Sequence, residues 1–396
     1  MNNFSRNIII RDNWIIDKKR TRAFELSPHV IEVLEYFSRN FDTSKIDEQL
    51  LMFLKAKEII SEGDKPYNPF VVRNPEFNGK RLFVQLTNRC NLHCKHCYAE
   101  SEPGCSDYFD FEEVKKIIDE ATSLGISAID FTGGEVITQG YFIELLQYME
   151  QLPVIYSFFS NLSLITSEQI DTMVKLSGLS KVITSIDYLD PKKHNAFRGG
   201  ECFHATMDAI DALSNKGVKV LVNMIVLKDN INEVESVIDY FTDKGIEVRI
   251  NPVINYGRQK DNNTTSQEDE FQYLILLKQI LEKKFGKDFI KNSRGSDCGI
   301  GDSLIFLDYK GNYQLCPGLT SDISDSYFIG NGIVEAKENL KKYRLRCGSN
   351  NCDDYSECNS GCRLRAVVEY CSDVAPDSAM CIMRRIDVRG DRFAKS

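Results

Sequence analysis

Cys90, Cys94 and Cys97 fall within eight residues of one another, in the run Leu86-Thr87-Asn88-Arg89-Cys90-Asn91-Leu92-His93-Cys94-Lys95-His96-Cys97-Tyr98. Thiolates at that density grip one soft metal centre. A cubane iron–sulfur cluster is held by four cysteines. Three cysteines leave one iron without a protein partner, by the logic that separates an open catalytic zinc site from a closed structural one. An open iron takes a substrate or a cofactor, so the trio points to catalysis rather than scaffolding. A zinc site would call for a fourth Cys or His at a regular interval. His93 and His96 lie inside the loop, but three intervening residues followed by two is not a usual zinc pattern.

Other residues with chemical potential follow. Thr132-Gly133-Gly134-Glu135 closes an apolar run, and paired glycines let backbone approach a ligand without Cβ hindrance. Ser160-Asn161 and Ser185-Ile186-Asp187 close the next two runs, and Phe197-Arg198-Gly199 comes shortly after. The last third of the chain carries Cys298, Cys316, Cys347, Cys352, Cys358, Cys362, Cys371 and Cys381, while Cys105 and Cys202 belong to neither set and read as ordinary thiols.

Elements must position these groups. Leu82–Leu86 reads as a strand followed by a helix at Phe111–Leu124. Ala128–Phe131 leads to Tyr141–Gln151, Val154–Ser160 to Ser167–Leu176, and Val182–Ile186 to His204–Lys216. Val218–Val226 leads to Ile231–Lys244, and Val248–Val253 to Glu268–Phe285. Six strand–helix units in series mean a parallel sheet with helical crossovers, which right-handed connections curl into a partial barrel. Active sites in such barrels lie at the C-terminal ends of the strands, where the cysteine trio, Gly133-Gly134-Glu135, Ser160-Asn161 and Asp187 all fall. Val253–Arg258, after the sixth strand, belongs to the same rim.

The fold class is therefore α/β: a partial (βα)6 TIM-like barrel over residues 80–290, preceded by a winged-helix-like unit at 1–75 and followed by a cysteine-rich unit at 291–396. In the first unit, Asn7–Arg11, Asn13–Asp17 and Arg22–Leu26 read as strands. Ser27 suits an N-cap and Pro28 the first helical position, with Ile31, Leu34 and Phe37 at helical spacing. A second helix starts at Ser44, a strand forms at Ile59-Ile60, and Gly63–Asn78 reads as a linker. In the last unit, Ile305–Leu307 and Tyr313–Leu315 flank Gly311 as a hairpin.

The spacing of Cys90, Cys94 and Cys97 resembles that of the radical S-adenosylmethionine (SAM) enzymes. The resemblance implies a SAM-binding 4Fe–4S cluster whose free iron chelates the amino and carboxylate groups of SAM, and whose electron breaks the sulfonium bond to give a 5′-deoxyadenosyl radical. It assigns Gly133, Gly134 and Glu135 to the SAM amino group and Arg198 to its carboxylate. Ser160, Asn161, Ser185 and Asp187 become candidates for the ribose and methionyl end, and Tyr98 for the adenine. The later cysteines resemble a SPASM domain with auxiliary iron–sulfur clusters, except that Gly348-Ser349-Asn350-Asn351 is longer than the family interval. The family connectivity gives Cys347, Cys352, Cys358 and Cys381 to one auxiliary 4Fe–4S cluster and Cys298, Cys316 and Cys362 to the other. Some members supply a fourth ligand where this chain has Asn292. Cys371, an open iron and a substrate thiol all stay open for that place.

The first unit is similar in order to precursor-recognition domains of ribosomal-peptide (RiPP) maturases, which bind a leader peptide as an added strand. The resemblance implies an oxidoreductase with three 4Fe–4S clusters. It would modify a ribosomally made precursor peptide bound through its leader, by thioether or carbon–carbon crosslinking, with an electron donor such as flavodoxin or ferredoxin. A formylglycine-forming sulfatase maturase and a tetrapyrrole-modifying enzyme share the C-terminal pattern. A non-catalytic iron–sulfur electron carrier is the reading of another class, and Gly133-Gly134-Glu135 with Arg198 speaks against it.

Composition agrees with a cytoplasmic enzyme. The chain has 396 residues, 42% of them apolar, and a formal charge of −9, which disfavours a nucleic-acid partner. No apolar stretch approaches the roughly 18 residues of a membrane span, and Met1–Asp12 lacks a signal-peptide pattern. Thirteen cysteines in such a chain read as metal ligands rather than disulfides.

Overall fold

The computed structural model describes residues 2–19, 22–62, 67–71, 81–105, 108–262, 267–286, 289, 299–300, 303–320, 322–340, 343, 347–348, 352, 358 and 360–384. At the N-terminus, β1 (Asn2–Phe4), which the sequence pattern does not reveal, pairs antiparallel with β5 (Ile60–Glu62). β2 (Ile8–Arg11), β3 (Trp14–Asp17) and β4 (Arg22–Glu25) form an antiparallel sheet in that order. α1 (Pro28–Asn40) begins as the caps require, the Ser27 hydroxyl accepting the Val30 N–H at 3.4 Å. α2 (Glu48–Ala56) starts at Glu48, not Ser44. Asp42 holds the Ser44 amide at 2.9 Å in a turn, and Asp47 caps the helix through the Leu50 N–H at 2.8 Å. Ile8, Ile15, Leu34, Phe37 and Leu54 enclose a core separate from that of the barrel.

Part of the expected Gly63–Asn78 linker is instead built into this unit. The Tyr67 hydroxyl donates to the Ile8 carbonyl at 3.0 Å. The Ile10 N–H donates to Pro69 at 2.8 Å and the Val71 N–H to Ile10 at 2.9 Å, so Phe70 bridges Ile10 in parallel and covers the outer edge of β2. The remainder of that linker lies outside the described residues.

The barrel follows. Its strands are β6 (Arg81–Gln85), β7 (Ala128–Thr132), β8 (Ile155–Phe159), β9 (Leu179–Ser185), β10 (Val220–Val226) and β11 (Glu247–Pro252), all parallel and hydrogen-bonded in sequence order. Its helices are α3 (Phe111–Ser123), α4 (Phe142–Met149), α5 (Ser167–Met173), α6 (Pro191–Arg198), α7 (Phe203–Asn215), α8 (Val234–Thr242), α9 (Arg258–Asn262) and α10 (Gln267–Phe285). The sequence reading lacks α6, which Asp190 caps through the Lys193 N–H at 2.9 Å, with Pro191 at its first position. The helix expected from Ile231 opens as a 3-10 turn, Lys228–Glu233, and becomes α-helical at Val234.

The C-terminal unit continues the barrel sheet. β12 (Leu304–Leu307) and β13 (Tyr313–Gln314) form the expected hairpin, but β12 also pairs parallel with β6, Leu304 opposite Arg81. β14 (Phe328–Gly330), α11 (Ile333–Leu340), α12 (Arg363–Tyr370) and α13 (Ser378–Arg384) complete it. Buried Asp377 is its anchor. Its carboxylate accepts the Cys362 N–H at 2.6 Å, caps α13 through Met380 at 3.2 Å and pairs with Arg365 at 3.2 Å. Arg365 in turn donates to the Pro252 and Val253 carbonyls at the end of β11, at 2.8 and 3.1 Å.

The N-terminal unit meets the opposite end of the barrel. Arg11 Nη1 donates to Ser127 Oγ, just before β7, at 2.9 Å, and Ser177 Oγ, just before β9, donates to the Arg6 carbonyl at 3.5 Å. Lys18 is buried, and burial pulls its ammonium down to about 8 against the attraction of Glu150. No described helix is long and apolar enough to cross a membrane. Replacing Asp377 by Ala takes from buried Arg365 its nearer carboxylate, leaves Glu369 at 3.8 Å and uncaps α13; chemical denaturation should show a loss of roughly 2–3 kcal/mol.

Candidate functional site

The cysteine loop is pinned to the barrel through its own backbone. The Gly134 N–H donates to the Thr87 carbonyl and the Glu135 N–H to the Arg89 carbonyl, each at 2.8 Å. A Cβ on Gly134 would stand 2.3 Å from the Arg89 oxygen, and one on Gly133 2.8 Å from the Thr87 oxygen. The sequence reading gave these glycines the task of admitting a ligand; here it is the backbone entering the cysteine loop that crowds them. From the β9 side, the Lys95 N–H donates to the Phe197 carbonyl at 3.1 Å, and Gly199, at φ +70°, lies under His93 where a Cβ would come within 2.3 Å of its carbonyl.

From the β11 side, Arg258 Nε donates to the Cys94 carbonyl at 3.0 Å, its Nη2 to Ser101 at 2.7 Å and its amide to Cys97 at 3.1 Å. Sequence reasoning placed Arg258 only on the rim that follows the sixth strand. Its position here is that of a brace on the loop, a role no local pattern signals. Asn91 is a further brace that was missed: it accepts from Asn161 Nδ2 and donates to Ser163 Oγ, both at 2.9 Å.

Glu135 is wholly buried. Its carboxylate accepts Ser160 Oγ at 2.7 Å and the Asn161 and Ile137 amides at 2.7 and 3.1 Å. Burial pushes its carboxyl above the usual range, against the pull of those bonds. Ser160 and Asn161 are thus occupied with Glu135 and Asn91. Asp187, which the sequence reading offered to the ribose or methionyl end, is buried with both oxygens on protein: Oδ1 accepts the Ile225 N–H at 2.9 Å, and Oδ2 meets Arg198 Nε at 2.7 Å and Nη2 at 2.6 Å. Arg198 Nη1 then lies 4.0 Å from Cys94 Sγ. Asp187 orients Arg198, and Arg198 brings a positive charge to the cysteines. Ser185 is part-buried at the end of β9, its register facing it into the barrel. Tyr98 lies exposed at the rim, near Thr132 at the end of β7.

The thiols suit a soft metal cluster. Burial, and then the charges of Glu135, Cys94 and Cys97, push Cys90 up to about 12, although the Leu92 N–H reaches its sulfur at 3.4 Å. Thiolates that repel one another in a buried pocket are what a cationic centre relieves. His96, between the second and third cysteines, stacks on Phe197 at 4.5 Å and holds a buried Nδ1 with no hydrogen-bond partner among the described residues. Among the described residues no three His, Cys, Asp or Glu groups lie close enough to share a single ion, whereas a cubane spreads its ligands over separate irons. Cys202, read from sequence as an ordinary thiol, is buried against Cys90, Leu92 and Cys94.

In the C-terminal unit, burial and the charge of Asp377, followed by Cys358, Cys347 and Cys352, push Cys381 up to about 12. Cys316 accepts the Gly318 and Leu319 amides at 3.4 and 3.0 Å. Cys298 and Asn292 lie outside the described residues.

The fold and the loop define a partial-barrel enzyme with a three-cysteine centre at its mouth. The sequence model of the radical SAM superfamily matches residues 84–241, the span that carries the loop, Glu135, Asp187 and Arg198. The chain is an enzyme whose residues 84–241 form a radical SAM domain. The antilisterial bacteriocin subtilosin biosynthesis protein AlbA of Bacillus subtilis (strain 168) is 26% identical to it over 360 residues, covering 84% of this chain and 78% of that protein. Fe-coproporphyrin III synthase of Methanosarcina barkeri is 24% identical over 400 residues, covering 88% and 93%. Streptococcus suis SuiB, solved bound to its precursor peptide SuiA, shares the fold with a TM-score of 0.63 over 96% of this chain and 100% of that one, at 13% identity.

Two outcomes follow. Gly134→Ala should displace the cysteine loop, and the reconstituted protein should hold substantially less iron and sulfide while far-UV circular dichroism stays unchanged. His194, buried and accepting the Asp187 amide at 3.3 Å, is lowered from 6.5 to about 3 by burial and then by Arg198. The folded state therefore refuses a proton that the unfolded chain takes below about pH 6.5, and stability falls as pH drops through that window. Between pH 6.5 and 5, denaturation curves of the wild type should lose about 2 kcal/mol more than those of His194→Gln.

Proposed function

We propose that this enzyme matures a ribosomally made precursor peptide, closing a thioether or carbon–carbon crosslink, with Cys90, Cys94 and Cys97 holding the SAM-binding 4Fe–4S cluster. The observation that carries the reading is the loop pinned from three strand ends, with Arg198 beside Cys94 and the unpartnered His96 Nδ1 within it. With SAM bound there, such a cluster supplies one-electron cleavage of the sulfonium bond and a hydrogen-abstracting adenosyl radical. Gly133, Gly134 and Glu135 fix the loop and the carboxylate behind it; Arg198, Ser185 and Tyr98 stand on the side toward the mouth.

The charges of Cys358, Cys347 and Cys352 all act on Cys381, which supports their shared auxiliary cluster. Cys298, Cys316 and Cys362 are assigned to the other. Cys371 is exposed at the far end of α12 from Cys362, a separation of about 13 Å along the helix, which favours an open iron or a substrate thiol over Cys371 as the last ligand. An electron donor such as flavodoxin or ferredoxin and a cytoplasmic setting complete the reading.

The peptide reading rests on the open edge of the N-terminal sheet. β2 is covered by residues 69–71, whereas nothing described pairs with the outer side of β4. The Leu26 N–H donates to Asn13 at 2.7 Å, so by antiparallel alternation Phe24 bonds inward while Ala23 and Glu25 turn their amides outward. That row is what an added strand reads. The SuiB structure bound to its precursor peptide, matched over nearly the whole chain, supports the same partner class. The match to Fe-coproporphyrin III synthase favours a tetrapyrrole substrate as a second reading, to which an open strand edge offers nothing. Ala23→Pro removes one outward donor and no inward bond. It should weaken precursor binding at least tenfold in fluorescence anisotropy, while the reduced anaerobic enzyme still yields 5′-deoxyadenosine from SAM. A Cys94→Ala enzyme should yield none.

A further inference from the structure

The peptide-binding edge and the radical chemistry lie at opposite ends of the barrel. The N-terminal unit touches the strand-entry end through Arg11 on Ser127, through the Arg6 carbonyl on Ser177, and through buried Lys18 near Glu150. Ser127 precedes β7 and Ser177 precedes β9. Gly134, Glu135 and the cysteine loop sit past the other end of the same parallel strands. The unit's open edge, β4, is also two strands removed from β2, which carries Arg11.

A chain held at β4 must climb the barrel wall to reach the mouth. Ser127 to Thr132 spans five residue steps along β7, about 17 Å at the rise of a parallel strand. Crossing from β4 to β2 adds about 10 Å at the spacing of neighbouring strands. A fully extended peptide covers at most about 3.3–3.6 Å per residue. Taken at right angles, the two legs leave about 20 Å, so the shortest path takes about six residues, before any detour around the barrel.

We infer that this enzyme selects its substrates by length: the segment bound at the N-terminal unit and the residue that loses its hydrogen must be separated by at least about six residues, the spacer acting as a tether along the barrel wall. This rests on the peptide reading above. A longer tether loses effective concentration only gradually, so the dependence is steep on the short side and shallow on the long side.

The test uses the full-length, cluster-loaded enzyme. The probe is a peptide that the enzyme both retains and modifies, drawn from a display library of the host's own short reading frames. In that peptide the residues between the bound segment and the modified position are replaced by Gly-Ser spacers of 4, 8, 12, 16 and 24 residues. Modification is read by mass spectrometry and binding by anisotropy. The expected result is at least a tenfold drop in modification between the 12- and 4-residue spacers, with dissociation constants unchanged and little difference from 12 to 24. Equal modification at all lengths with unchanged binding overturns the tether and leaves the peptide reading standing. A library from which no peptide is both retained and modified overturns the peptide reading itself, and the tether with it.

Discussion

The structure depends on how one short loop is held. Eight residues from Cys90 to Cys97 carry three buried or part-buried thiols that repel one another as they ionise. Left to itself, such a segment would spread its sulfurs. Here Arg258 takes the Cys94 and Cys97 carbonyls, Gly134 and Glu135 take the Thr87 and Arg89 carbonyls at its entry, and its amides reach back to Phe197 and Glu102. A buried carbonyl that lacks a partner costs on the order of 1–3 kcal/mol, so these bonds hold the loop by making departure expensive. They come from elements distant in sequence, and they turn a local spacing of cysteines into a fixed geometry.

A second layer keeps that frame charged correctly. Arg198 is a buried cation, and a buried charge is tolerated only when paired. Asp187 supplies the pair, the Ile225 amide supplies Asp187 with a further donor, and His194 stays neutral beneath it. The outcome is a cation beside Cys94 whose position is set from below. Glu135 is handled in the same way through Ser160 and Asn161, which then reach Asn91 in the cysteine loop. The radical SAM match spans all of these residues.

The flanking units are attached to opposite ends by different means. The C-terminal unit shares the barrel core and its sheet, β12 lying beside β6, and Arg365 spans from Asp377 to the end of β11. Cys362 and the chemistry at the mouth are therefore one rigid construction. The N-terminal unit has its own core and meets the other end through a few polar contacts and buried Lys18. The two flanking units therefore meet opposite ends of the barrel strands.

The chain by itself announced what repeats or clusters locally. Cys90, Cys94 and Cys97 are legible as a candidate centre because they sit close together in sequence. The strand–helix alternation is legible because parallel strands need crossovers, and Ser27-Pro28 because a cap acts on its own helix. The α2 start was misread because two neighbouring residues compete to cap, and the Asp42–Ser44 turn decides in favour of Asp47. What sequence could not say is which partner each polar group meets across the fold. Asp187 serves Arg198, Gly134 makes room for the Arg89 carbonyl, Arg258 braces Cys94, residues 69–71 cover β2, and β12 joins β6. Those contacts link residues far apart in the chain, and long-range hydrogen bonds and close approaches leave no periodicity behind; they exist once the barrel has closed and brought the strand ends together.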